Sequence, residues 1–178
     1  MVSFLIFVGG IVLFIRFFVA NPYTVVWASM APTFEESDFI IVDKITPRFS
    51  QLERGNVIVF VPPGKTIPYI KRIIGLPGET VKIKSNGVEI CTTNNGIEQC
   101  NTLSESYLSW VKTEARCGVD EFKIDTGGFF VLGDNRWFST DSRCCFGLNC
   151  YEWSTYEVPF DHIIGKVYLR FFPNFSTF

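Results

Sequence analysis

Residues 2–20 carry a single charge, Arg16, and from Val2 to Ile15 only Ser3, Gly9 and Gly10 interrupt an apolar run. No other stretch of the chain is so restricted in what it can become. Nineteen helical residues rise about 28 Å, close to the ~30 Å hydrocarbon core of a bilayer. Arg16 lies near the C-terminal end, where a long side chain can reach the interface. Pro22 then ends the helix and favours an extended Asn21. The run is therefore expected to be a transmembrane anchor over residues 1–20. A cleaved signal peptide is the rival reading, and the missing basic n-region weakens it. Charge says little about orientation, because there is almost no N-terminal loop to count.

Beyond the anchor the pattern is mostly β. Asp38–Asp43 and Asn56–Val61 are short β-branched and aromatic runs bounded by turn residues, with Pro62-Pro63-Gly64 stopping the second. Tyr69–Ile74 is a further strand, closed by Gly75-Leu76-Pro77-Gly78, a type II turn pattern. Glu79–Ile83 and Val88–Ile90 flank Ser85-Asn86-Gly87, a hairpin signal. Residues 92–127 are polar, cysteine-bearing and weakly periodic, as expected of an inserted lid held by bridges. Gly128–Leu132 reads as a buried strand, residues 144–161 as a loop rich in cysteine and aromatics, and Ile163–Phe171 as the last strand. The expected fold is mainly β. An antiparallel catalytic domain takes residues 21–83 and 128–178, and a hairpin subdomain at 84–127 is inserted into it.

Composition limits the partners. A net charge of −2 gives no electrostatic case for nucleic acid. All six cysteines, Cys91, Cys100, Cys117, Cys144, Cys145 and Cys150, follow the apolar run. Outside the cytoplasm an even set reads as disulfides. The pairings expected are Cys91 with Cys100, and Cys117 with a member of the 144–150 group. Vicinal Cys144 and Cys145 should take different partners, because pairing them together would strain the backbone. Zinc is the competing reading, but no pair has Cys-x-x-Cys spacing and His162 is the only histidine. No metal and no cofactor is expected.

Three stretches bear on chemistry. They are Ala28-Ser29-Met30-Ala31-Pro32-Thr33, then Tyr69-Ile70-Lys71-Arg72-Ile73-Ile74-Gly75-Leu76-Pro77-Gly78-Glu79, then Gly133-Asp134-Asn135-Arg136-Trp137-Phe138-Ser139-Thr140-Asp141-Ser142-Arg143. In this order, behind an apolar segment, they resemble the sequence boxes of the type I signal peptidases, membrane-bound serine proteases with a lysine general base. The resemblance covers roughly residues 16–83 and 128–173. It implies a peptidase on the extracytoplasmic side of the plasma membrane that removes signal peptides from exported precursor proteins.

The chemistry needs a nucleophile, a base and an oxyanion site. A Ser-His-Asp triad would rest on His162 alone, far in sequence from the boxes. The resemblance instead makes Ser29 the nucleophile and Lys71 the base. Period-two alternation puts Tyr69, Lys71 and Ile73 on one face and Ile70, Arg72 and Ile74 on the other. A lysine between Tyr69 and Ile73 is a candidate for burial, which would lower its pKa toward the roughly 7–8 a base requires. A strand lysine reaching water is the plainer alternative. By resemblance Ser139 orients the lysine ammonium, and Val25, Met30, Phe34, Tyr69 and Ile70 shape shallow pockets for small side chains. Their plainer reading is core packing. Arg72, Asp134, Asp141 and Arg143 have a framework role, and Gly133 and Asn135 suit a tight turn.

By resemblance the oxyanion hole is the Ser29 N–H plus a serine hydroxyl two residues upstream. Here that position is Trp27. Two further departures are Val25-Val26 in place of an apolar-proline pair and Cys144-Cys145-Phe146-Gly147 after the last box. They leave room for a dedicated processing peptidase with one or a few substrates. A non-catalytic, anchored, peptide-binding β domain is the third reading, favoured by Trp27 and opposed by Ser29 and Lys71 both standing in matching boxes.

Overall fold

The computed structural model describes residues 1–84, 87–108, 113–151 and 154–178, without the side chain of Phe17. The first two residues of the expected Ser85-Asn86-Gly87 turn lie outside them. In chain order the strands are β1 (Ala20–Thr24), β2 (Phe39–Asp43), β3 (Val57–Phe60), β4 (Tyr69–Gly75), β5 (Thr80–Lys84), β6 (Gly87–Asn94), β7 (Ile97–Thr102), β8 (Glu121–Lys123), β9 (Gly128–Leu132), β10 (Val158–Pro159), β11 (Ile163–Phe172) and β12 (Ser176–Thr177). One sheet runs β1-β2-β11-β3-β4-β9-β10, with β12 added to β11; the second runs β7-β6-β5-β8. The pairings are antiparallel, so the mainly β expectation is met.

The N-terminus differs from expectation. The α-helix α1 spans Val2–Phe14, and the ladder then widens into a π turn over Ile15–Val19 before β1 begins. Thirteen α-helical residues rise only about 20 Å. Among the described residues no helix is long and apolar enough to cross a membrane.

The division between the sheets also moves. The second sheet begins at Thr80, because β5 pairs with both β6 and β8; the expected boundary at residue 84 falls at the end of β5. Nor does that sheet keep a core of its own. Val81, Ile83, Val88, Ile90, Phe122 and Ile124 pack with Ile74, Phe130 and Leu132 of the first sheet. Gly75 lets the layers meet: a Cβ there would lie 2.3 Å from Ile124 Cδ1 and 2.5 Å from Val81 Cγ2. The tip of the β6-β7 ribbon stands outside this core, with Thr92 to Thr102 exposed.

All six cysteines are paired, Cys91–Cys100, Cys117–Cys144 and Cys145–Cys150. Cys91, Glu98 and Cys100 converge in space, but the two sulfurs bond each other and are not thiolate ligands. His162 is structural: its Nδ1 donates to Val61 O at 2.8 Å.

Candidate active site

Two central strands carry the site. Lys71 lies on β4, level with Ile58 on β3 and flanked on its own face by Tyr69 and Ile73. Those neighbours join a core cluster with Ile58, Phe60, Val131 and Phe146, so the lysine emerges from an apolar wall. Only 3% of Lys71 is exposed. The alternation read from the sequence thus holds, and the plainer reading of a solvated lysine does not.

Ser29 arrives from the other direction. β1 ends at Thr24, and the chain turns through a short 3-10 segment, Ala28–Met30. The loop around it is fastened at several points. Val25 N donates to Asp38 O and Ser37 N to Val25 O. Arg170 donates to Thr33 O and pairs with Asp38. Thr33 Oγ1 donates to Asp134 Oδ2 at 2.6 Å. These ties bring Ser29 Oγ to 2.8 Å from Lys71 Nζ, across 42 residues of sequence. The Lys71 nitrogen also donates to Ile70 O at 2.7 Å.

Burial pushes the Lys71 pKa down from 10.5 to about 8, and the charges of Asp141 and Asp134 stop it falling further. No carboxylate forms an ion pair with it among the described residues. A lysine in that range is neutral in a useful fraction near neutral pH, and a neutral amine at hydrogen-bond distance can take a hydroxyl proton.

The remaining box residues divide cleanly. Arg72 holds Asp134 through Nε–Oδ1 at 2.9 Å and Nη2–Oδ2 at 2.6 Å, and the Tyr107 ring covers its guanidinium. Arg143 holds Asp141 through two contacts of 2.9 Å. Burial would raise the Asp141 carboxyl, but hydrogen bonds and charge from Arg143 outweigh it and hold it below the usual range. Asp141 also accepts from Gly133 N at 3.2 Å. Ser139 is buried, and its hydroxyl helps to hold the Asp141 carboxyl low, although the contact falls short of a well-formed hydrogen bond. Ser139 lies beside the Ser29 backbone: a Cβ on Gly133 would sit 2.2 Å from Ser139 Oγ and 2.4 Å from Ser29 O.

A cleft of about 590 Å³ opens over the pair. Val25, Tyr69 and Ile70 line it, as do Trp27 and Phe138. Met30 and Phe34 do not; both are fully buried and pack with Val25, Ile40 and Val42. Two apolar residues in the segment after a buried turn were read as pocket wall, and the core claims them.

Several contacts lie beyond the sequence reading. Asn135 Nδ2 donates to Ala28 O at 2.9 Å, and Asn135 N donates to Ser29 O at 3.1 Å. Arg136 pairs with Glu105, and Arg116 donates to the carbonyls of Arg136, Trp137 and Ser139. The inserted segment thereby straps the third box. Only the polarity of these residues hinted at partners; contacts spanning 107 and 31 residues have no local signature.

The family model described as signal peptidase, peptidase S26, matches residues 1–172. The chain belongs to this family. Signal peptidase I T of Bacillus subtilis is 36% identical over 168 residues, covering 90% of this chain and 78% of the relative. Signal peptidase IB of Staphylococcus aureus is 35% identical over 176 residues, covering 90% and 82%. A solved signal peptidase I from Enterococcus faecalis V583 is 30% identical, covers 66% of this chain and 97% of that chain, and superposes with a TM-score of 0.45. As a member of the S26 signal peptidases the chain is a serine endopeptidase that removes signal peptides.

Proposed function

We propose that Ser29 is the nucleophile of this signal peptidase and Lys71 its general base. The observation that carries the reading is the 2.8 Å approach of a buried lysine, with its pKa lowered, to the Ser29 hydroxyl. Lys71 takes the Ser29 proton as Oγ adds to the scissile carbonyl. The Ser29 N–H faces the oxyanion that forms. Lys71 then gives its proton to the leaving amine, and later activates the water that frees the acyl-enzyme. The ammonium formed in the first step needs another acceptor close by. The Ser139 hydroxyl, buried beside the same turn and within reach of Asp141, suits that role. Arg72, Asp134, Asp141 and Arg143 fix the frame. No metal or organic cofactor takes part.

Substrate lies in the apolar cleft, where Val25, Tyr69 and Ile70 leave shallow pockets for small side chains before the cut bond. Cleavage of a preprotein with a small-x-small site tests the mechanism. Ser29→Ala and Lys71→Ala should both be inactive; full turnover by either overturns it.

Residues 1–20 are the single-pass anchor in this reading, with the bulk of the chain outside the plasma membrane. Every side chain of α1 is exposed, and an apolar helix with nothing packed on it calls for lipid. Three disulfides fit an oxidising compartment. Trp27 stands exposed at the cleft and Trp137 is exposed next to Phe138 in sequence, and tryptophans favour the headgroup region. Retention in membranes through an alkaline wash is expected; release by that wash would remove the anchor. A dedicated substrate range is the second reading, favoured by Trp27 and Phe138 at the cleft. Depletion of the enzyme in cells separates the two: many precursors accumulate for a general peptidase, one or two for a dedicated one.

A further inference from the structure

Trp27 leaves the oxyanion site without the hydroxyl that the resemblance implies, so the setting of the Ser29 N–H carries more weight. Ala28 O and Ser29 N belong to one peptide unit, which is planar. Whatever grips that carbonyl sets the direction of the Ser29 N–H at the other edge of the plane. Ala31 N donates to Ala28 O within the turn at 3.2 Å, and Asn135 Nδ2 makes the shorter contact, at 2.9 Å. A second contact keeps this one in place: Asn135 N donates to Ser29 O at 3.1 Å. The amide itself is oriented, because its Oδ1 accepts from Phe138 N at 3.4 Å and turns the NH2 group toward Ala28. Gly133 allows the approach, since any Cβ there would strike Ser29 O.

The grip has an electronic consequence as well. A donor on an amide oxygen draws charge through the peptide and strengthens the N–H at its far end. We infer that Asn135 is a positioning residue, whose side-chain amide aims and strengthens the Ser29 N–H toward the oxyanion. It thereby carries part of what a hydroxyl at position 27 would supply. The inference rests on Ser29 being the nucleophile.

The test uses the full chain in detergent micelles and compares Asn135→Asp and Asn135→Ala with wild type. Asn135→Asp keeps the shape and the acceptor for Phe138 N but loses the donor. Asn135→Ala loses the donor without adding a charge near Lys71. Three quantities are read: kcat and KM per site titrated with a serine-reactive probe, affinity for a peptide boronate whose tetrahedral adduct presents an oxyanion, and Tm. Removing a direct oxyanion donor lowers kcat by about 10²–10³-fold, so losing its support should lower kcat about 10-fold or more in both variants. Boronate affinity should fall by a similar factor, while KM stays within about twofold and the pH midpoint of Asn135→Ala stays that of wild type. A residue that only stabilises the fold would lower Tm and the titratable fraction, leaving kcat per site alone. That result, or an unchanged boronate affinity, overturns the inference. Ser29→Ala keeps the outcomes apart: if it stays active, the dyad reading falls; if it is dead while Asn135→Ala retains full kcat per site, only the inference falls.

Discussion

Lys71 and Arg72 are consecutive residues on β4, both are buried cations, and the fold treats them oppositely. Arg72 faces Asp134 in a two-point ion pair, beneath the Tyr107 ring. Lys71 faces a serine hydroxyl and a carbonyl, with carboxylates only at longer range. One strand thus carries a charge that is fixed on one face and a charge that is made unstable on the other. A guanidinium stays protonated in any protein environment, so pairing it yields a rigid strut. An ammonium in an apolar wall without a counter-ion gives up its proton more readily. In the proposed mechanism this difference separates scaffold from chemistry.

The largest effect should come from making the two faces alike. Lys71→Arg keeps a cation but cannot supply a base. Activity on a small-x-small preprotein is expected to fall about 10⁴-fold or more, as for loss of a triad member. Wild-type kcat/KM should rise with pH around a midpoint near 8, because in the proposed mechanism only deprotonated Lys71 accepts the Ser29 proton. A flat profile from pH 6 to 9, or an active arginine variant, would erase the contrast.

Breaking the other face should cost stability. Asp134→Asn leaves the Arg72 guanidinium buried without its counter-charge, and also weakens the Thr33 tie to the Ser29 loop. About 3–5 kcal/mol of stability should be lost, measured by denaturant unfolding. The kinetic midpoint should move below that of wild type, because Asp134 is one of the charges that hold the Lys71 pKa up. An unchanged midpoint would mean that the two faces do not communicate.

How much of this was legible in the sequence follows the range of each interaction. The alternation of β4 was legible, because period two is local, and so were the Cys91–Cys100 pair and the joining of Cys117 to the 144–150 group; the approach of Ser29 to Lys71 followed only from the resemblance. The split of the sheets was not legible. Gly75 looked like a turn residue, whereas its missing Cβ is what admits Ile124 and Val81 and fuses both sheets into one core. Met30 and Phe34 are apolar in either role, so burial alone could assign them. The end of the α-helix at Phe14 was hidden because the apolar run continues past it with no proline before Pro22. Asn135 was recognised as a turn former, but its reach to Ala28 depends on the tertiary fold.

A subtler test treats the Lys71 charge as a cost. In the folded chain Lys71 loses its proton near pH 8, in the unfolded chain near 10.5. Below 8 both states are protonated, and the folded one bears the whole burden of a buried charge. Between these values the unfolded chain holds more protons, so stability rises with pH. Lys71→Met does not titrate there. Relative to that variant, wild type should therefore be penalised most at pH 7, and the gap should shrink by about 3 kcal/mol as pH approaches 10.5. Parallel stability curves for the two proteins would mean that Lys71 is not desolvated.

The smallest effect belongs to a third kind of cation. Lys82 on β5 contacts Glu98 at 2.8 Å and Glu121 at 3.7 Å, and these raise its pKa. It is protonated throughout the working range, like Arg72, but its head group and both carboxylates remain in contact with water. Solvent screens such pairs, and holding long side chains in one geometry opposes them. Lys82→Ala should shift Tm by no more than about 1–2 °C and leave kcat and its pH midpoint untouched. A larger loss would show that an ion pair on the second sheet bears on the shared core. Proximity of opposite charges would then be enough to make a strut, and the contrast on β4 would owe less to burial than to the presence of a partner.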